Sequence, residues 1–457
     1  MHRQSFLKSA LRQSPSAGTW SEIVTLLNSW PHDDGLNDAI SQAEKALEEW
    51  PDELRTGNGW WPDAVAGREP RFRLARALTF RRRGIPVSDL AEMCQKAEFA
   101  QVTTLRIAVG KGPELVEEVS AATGAGERLA SIKELDLSGR QIGVRGAEAL
   151  SEMRLPSLSR LNLSACGLGA EGLEHIVNAS WFSQLTVLDI SQSQIDAAAA
   201  AVLANAGSGK LEELRVAKTP ELDDVAVQSL AAAALPTLAT VDLQEGGFSN
   251  AGLSALASAA WPALRSLNLW NLSGQCGDAG ARALADSWAH ETVASLNLGA
   301  CEIGNAGVQA LAENEKFASV HDLNLERSKF EAEGMRTLAN SVAFSGVRTL
   351  NMNWCTASSI EGMRGSKLAS RIEELQIPRT TCGNKGIAAL LEGDGLSNLR
   401  VIDLTNNAIT DAGIDALCNA AAKLSELSEL TLSENSISNV ALKGLCTSGL
   451  TLHGLVL

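Results

Sequence analysis

The chain has 457 residues, with 39 lysines and arginines against 54 aspartates and glutamates, a net charge of −15. An acidic excess of this size disfavours nucleic acid as a ligand and favours a basic partner. No stretch approaches a membrane span, residues 1–18 hold no apolar run of signal-peptide length, and the eight cysteines form no Cys-x-x-Cys, so a cytoplasmic protein with free thiols is expected.

Taken in order, the first elements are helical. Ser16 to Trp30 places Trp20, Ile23, Leu26, Leu27 and Trp30 on one helical face, and Leu36 to Trp50 does the same with Ile40, Ala43, Leu47 and Trp50. Pro31 and Pro51 end them, because the residue before proline is pushed out of the helical region. Gly57 to Pro62 reads as a connector, and Arg71 to Gly84 and Val87 to Ala97 as two further helices. Residues 1–100 are therefore expected to form a small all-α domain capping one end of a repeat array.

From Leu105 onward a short alternating strand pattern recurs. Its leading apolar residue falls at Leu105, Leu135, Leu161, Leu188, Leu214, Val241, Leu267, Leu296, Leu323, Leu350, Leu375, Ile402 and Leu430, with a partial copy at Leu455. Most intervals are 25 to 29 residues. A second signature keeps step: a small residue four positions before an apolar one, as in Gly146/Leu150, Gly252/Leu256, Gly307/Leu311, Gly334/Leu338 and Gly413/Leu417, with Ala199/Leu203, Ala226/Leu230 and Ala441/Leu445 as variants. Two signatures in register define strand–turn–helix units that bury their apolar faces only against copies of themselves.

These paired signatures resemble leucine-rich repeats of the ribonuclease-inhibitor type, over residues 101–457, in about 13 repeats and a partial terminal one. The resemblance implies an α/β solenoid, a horseshoe with a parallel concave sheet and convex helices. It also implies a role in protein binding, or in regulating an enzyme as a ribonuclease inhibitor or GTPase activator does, without naming a partner. The cysteine-rich composition of ribonuclease inhibitor is not matched.

Residues able to carry chemistry read mostly as structural. Cys166, Cys301 and Cys355 fall five residues after the leading apolar position, where an inward side chain bonds neighbouring backbone. The six histidines lack metal-ligand spacing, and His290-Glu291 is not continued into a zinc-protease motif. Gly207-Ser-Gly-Lys210 lacks the earlier glycine of a phosphate loop and precedes a strand, whereas such a loop comes after one. Asp223-Asp224 suits helix capping. No catalytic residue, metal or cofactor is expected.

Strand residues alternate, so positions −1, +1 and +3 from the leading apolar residue face the concavity and +4 borders it. Acids there are Glu134, Asp136, Asp189, Glu213, Asp242, Glu245, Asp322, Glu326, Glu374, Asp403, Glu429 and Glu434, against Arg106, Arg160, Arg215, Lys218, Arg327 and Arg379. Within this face Trp270 and Trp354 stand out, with Asn297, Asn324, Asn351, Asn353, Glu326 and Arg327 around them. Tryptophan and arginine are enriched where binding energy concentrates.

The expectation is a protein-interaction scaffold holding a basic partner on the acidic concave face. Seven arginines between Gly67 and Gly84 (Arg68, Arg71, Arg73, Arg76, Arg81, Arg82 and Arg83) raise an alternative, nucleic-acid or phosphate binding by the N-terminal helices. Leu455-Val456-Leu457 starts a strand without a polar cap, and its edge is expected to pack on a partner or on a second copy as a homodimer.

Overall fold

The computed structural model describes residues 2–31, 34–57, 70–81, 97–108, 112–124, 126–272, 276–392 and 396–457. The chain divides into two compact units, residues 1–194 with 206–211, and residues 195–205 with 212–457.

In the first unit, β1 (Ala77–Arg81), β2 (Thr104–Ala108), β3 (Glu134–Asp136), β4 (Arg160–Asn162) and β5 (Val187–Asp189) pair in parallel in chain order. The second unit continues the pattern with β6 (Glu213–Arg215), β7 (Thr240–Asp242), β8 (Ser266–Asn268), β9 (Ser295–Asn297), β10 (Asp322–Asn324), β11 (Thr349–Asn351), β12 (Glu374–Gln376), β13 (Val401–Asp403), β14 (Glu429–Thr431) and β15 (Gly454–Val456). Every leading apolar residue found in the sequence lies in one of these strands, in register with its neighbours. In β3 to β14 that residue and the one two positions on are buried, as Leu323 and Leu325 are, while the flanking strand residues are half-buried or exposed; in β15 Leu455 is half-buried and Leu457 exposed. One side of each sheet is therefore core and the other is open.

Strands β3 to β14 each end in a left-handed turn. The residue at +4 has φ between 53° and 71° in Gly139, Ala165, Gln192, Lys218, Glu245, Asn271, Ala300, Arg327, Trp354, Arg379, Asn406 and Glu434. The turn aims that residue's N–H at the next repeat, as from Arg327 to the Asn353 carbonyl (2.8 Å) and from Trp354 to the Pro378 carbonyl (3.0 Å). The following residue turns inward. Cys166, Cys301 and Cys355 donate their thiols to the carbonyls of Leu137, Leu269 and Leu325 at 3.2, 3.3 and 3.2 Å. Asn407 and Asn435 do the same with their amides, to Ile377 and Leu404.

Helices are tied across repeats by a cap borrowed from the preceding helix. Asp223 caps its own helix Asp224–Ala231, through the Ala226 N–H at 2.9 Å. Its neighbour Asp224 reaches forward and accepts from the Ser249 and Gly252 N–H groups of the next repeat, both at 2.8 Å. Asp278 does so for Gly304 and Gly307, Asn305 for Glu331 and Gly334, and Asp411 for Ser438. This explains the glycine of the second signature at Gly252, Gly307 and Gly334. A Cβ on Gly307 would stand 2.7 Å from the Asp278 Oδ1 that bonds its N–H.

The N-terminal region departs from expectation at one place. Helices His2–Ala10, Ala17–Asn28 and Asp34–Ala46 are present, and Ser16 caps the second through the Thr19 N–H. The expected helix over 71–84 is instead a 3₁₀ turn, Pro70–Leu74, followed by β1. Ala75, Ala77 and Leu78 are buried, and Leu78 pairs with Leu105. The apolar spacing suits either element locally. The parallel partner β2 decides it, because the strand satisfies an edge that a helix would leave unpaired. The helix expected over 87–97 lies almost wholly outside the described residues. Among the described residues no helix is long and apolar enough to cross a membrane.

Candidate interaction surface

The open sheet face carries the residues singled out from sequence. Trp354, at the +4 position of β11, is 53% exposed at a φ of 60°. The guanidinium carbon of Arg379, its equivalent one repeat later, lies 5.7 Å from the centroid of its ring. The left-handed turn lifts both side chains to the rim, where a cation meets an aromatic face.

Trp270, at +3 of β8, is half-buried because its indole lies across the next strand's Gly299. A Cβ at Gly299 would stand 2.7 Å from Trp270 Cδ1, so the neighbouring glycine makes the seat for the ring. Three strand spacings, about 14 Å, separate β8 from β11. The two tryptophans thus share a face without forming one cluster.

The asparagines have local work. Asn268, Asn297, Asn324 and Asn351 each accept, through Oδ1, the N–H two residues on, from Trp270, Gly299, Glu326 and Asn353 at 2.9 to 3.2 Å. Asp136, Asp189, Asp242 and Asp403 do the same with carboxylates. These side chains shape the turn after the strand. Asn353 Oδ1 is shielded from solvent and meets no donor among the described residues.

The remaining charges divide the face. In the first unit Glu134 pairs with Arg106 at 2.9 Å and with Arg160 at 3.8 Å. In the second, Arg215 pairs with Glu213, Arg327 lies 3.6 Å from Glu326, and Glu434 accepts from Asn406 at 2.7 Å. Glu245, Asp322, Glu374 and Glu429 form no ion pair among the described residues. Uncompensated negative charge therefore lies on the second unit's sheet.

The N-terminal arginines point the other way. Arg71 is buried and donates to the Leu27 carbonyl and to Asn28, Arg73 pairs with Glu44 at 2.7 Å, and Arg76 donates to the carbonyls of Arg73 and Ala75. Arg68, Arg82 and Arg83 lie outside the described residues, as does the side chain of Arg81. The arginines described are structural donors, which weakens the nucleic-acid reading.

Among the described residues no group of three or more histidines, cysteines, aspartates or glutamates could hold a metal ion. Burial pushes the Cys166 thiol up to about 11 and the Cys355 thiol up to about 12, so both stay protonated donors in their carbonyl bonds. His290 is buried, with Nε2 2.8 Å from the Leu256 carbonyl, and packs edge-on against Trp288, which stacks on Phe317. Burial holds His290 below its ordinary value, the bond to Leu256 opposing in part.

One strand, one left-handed turn and, in most repeats, one helix, with an open sheet face, define a leucine-rich-repeat fold. The Leucine Rich repeat family profile matches residues 128–151, 154–177, 289–312 and 395–418. Comparison with curated proteins returns no match. Among solved structures, a chain of the crystal structure of the Rad7 and Elc1 complex in yeast is 16% identical, with a TM-score of 0.50, over 93% of this chain and 98% of that one. An internalin of Listeria monocytogenes is 17% identical over 72% of this chain and 88% of its own, with a TM-score of 0.40. An LRR protein of Leptospira interrogans is 13% identical over 86% and 97%, with a TM-score of 0.41. The first of these likenesses, at its low identity, concerns the fold alone.

Proposed function

We propose that the protein is an interaction scaffold that holds a basic protein partner on the open sheet face of its second unit. The observation carrying this reading is Trp354, a large aromatic held exposed in a strained turn beside Arg379, on a sheet whose acids Asp322, Glu374 and Glu429 have no ion-pair partner among the described residues. An exposed tryptophan serves packing poorly and binding well. Trp270, Asn297, Asn324, Glu326, Arg327, Asn351 and Asn353 complete the surface, the asparagines mainly by setting its turns. A pre-formed face of short strands orders little on binding. The helix in most repeats supports the ribonuclease-inhibitor-like sub-type, and the N-terminal helices suit a cover for β1. Buried free thiols at Cys166, Cys301 and Cys355 support a reducing compartment such as the cytoplasm.

The test is capture of partners from native cell extract at low and high salt, followed by Kd measurement with purified partner. Trp270→Ala with Trp354→Ala is expected to weaken that Kd strongly. An unchanged Kd for the double variant overturns the surface.

A further inference from the structure

The proposed binding face leaves the form of the partner open, and the pattern of the first strand residues narrows it. Across β10 to β14 the residues paired side by side are Asp322, Thr349, Glu374, Val401 and Glu429. Carboxylates occupy every second strand, with uncharged side chains between. Adjacent strands lie about 4.8 Å apart, so successive carboxylates repeat at about 9.6 Å along a line perpendicular to the strands. Asp322 and Glu429 are exposed and Glu374 is half-buried. Arg348 and Arg400, one residue before β11 and β13, fall on the opposite side of the strand alternation. Arg348 is engaged with the carbonyls of Ser345, Gly346 and Val347 and with Glu373.

The opposite edge of the same strands is different in kind. There Trp354 and Arg379 stand at the turns, and the row between holds the amides of Asn324, Asn351 and Gln376, followed by Asp403 and Thr431. Along β11 and β12 the face thus runs from the carboxylate row, through neutral amides, to an exposed aromatic, while Glu326 just after β10 and Asp403 on β13 add negative charge to either side.

We infer that the partner presents an amphipathic α-helix that lies across β10–β14, with lysines or arginines at i, i+7 and i+14 over Asp322, Glu374 and Glu429 and an apolar stripe against Trp354. Two lines of chemistry select a helix. Seven helical residues rise about 10.5 Å, close to the carboxylate repeat. An extended segment crossing the strands would also lay its own N–H and C=O groups over side chains, since the strand backbones are already paired to one another, whereas a helix satisfies its backbone internally. This inference rests on the proposed binding face and adds the partner's secondary structure and charge spacing.

The test uses the full-length protein and two labelled synthetic helical peptides in fluorescence anisotropy at low salt. One carries lysines at i, i+7 and i+14 with a leucine after each, about 100° round the helix. The other has the same composition with lysines five residues apart. The spaced peptide is expected to bind about tenfold more tightly, a preference erased by the triple variant Asp322→Asn, Glu374→Gln, Glu429→Gln and by high salt. Trp354→Gly is expected to weaken both peptides. Equal binding of both peptides to wild type, or a preference unchanged in the triple variant, overturns the helix assignment while sensitivity to Trp354→Gly leaves the binding face standing. Absence of binding by either peptide at low salt also overturns the helix assignment, and the face itself is then judged by the Trp270 and Trp354 double variant against a purified partner.

Discussion

Trp354 and Arg379 occupy equivalent positions of adjacent repeats, both at left-handed φ, with the guanidinium carbon 5.7 Å from the indole centroid. The same turn that continues the backbone ladder also lifts these two side chains to the rim. Structure and recognition therefore meet at one position of the repeat, and substitutions there separate them.

Trp354→Gly removes a 53% exposed side chain and relieves a left-handed conformation that costs an L-residue about 1–2 kcal/mol. Glycine's extra unfolded-state freedom offsets part of that gain. Thermal unfolding is expected to stay within about 1 kcal/mol of wild type, while partner affinity falls about tenfold or more. Loss of stability together with binding would make Trp354 a packing residue.

The forward cap is testable at Asp278. Asp278→Ala removes the acceptor for Gly304 and Gly307 and is expected to cost about 1 kcal/mol in urea unfolding. Gly307→Ala is expected to cost more, because its Cβ would also stand 2.8 Å from Ile303 Cγ2. The two losses should add to more than the double variant shows, since both act on one contact.

Acid is expected to destabilise the protein in two steps. Burial holds His290 below its ordinary 6.5, so the unfolded chain takes up a proton there that the native state resists. Its contribution is complete above pH 6.5 and is lost as pH falls from 6.5 toward the lower native value. His290→Gln should flatten the denaturant midpoint over that window. Burial acts to raise Asp224, but the Ser249 hydroxyl and the Ser249 and Gly252 N–H groups outweigh it. The Ser438 N–H and hydroxyl lower Asp411. Both carboxylates sit below 3.8, so their stabilisation is present above that value and is lost as pH falls through their native values. Asp224→Asn with Asp411→Asn should flatten the midpoint there and leave the His290 step in place.

Thiol reactivity should follow burial. Cys166 and Cys355 are buried and protonated, whereas Cys446 is exposed on the helix Asn439–Thr447. Reaction of the native protein with an aromatic disulfide near pH 8 is expected to show a fast phase that loses one thiol in Cys446→Ser. A fast phase lost instead in Cys355→Ser would contradict the inward ladder.

The repeat was legible because its period is imposed by packing. Each leading leucine must lie beside its copy, so spacing alone located the strands from Leu105 to Leu455. The ladder cysteines were legible for the same reason. β1 was missed, although Leu78 stands 27 residues before Leu105, one repeat length. Its local spacing also suits a helix, and only β2 beside it decides between them. The +1 asparagines and aspartates looked like a recognition surface, yet the Asn324 and Asp403 side chains accept N–H groups two residues on. Backbone geometry of that kind leaves no mark in residue type.

Composition and period by themselves determined that short strands stack in parallel, which side chains are core, and that the open face is acid-rich. Those follow from hydrophobic burial, which acts on every repeat alike. Tertiary structure decided which acids remain free. Glu134 and Glu213 meet arginines on the same face, while Asp322, Glu374 and Glu429 pair with none among the described residues. Charge is read from sequence one residue at a time, but its compensation depends on distances between neighbouring repeats, and those exist only once the strands are side by side.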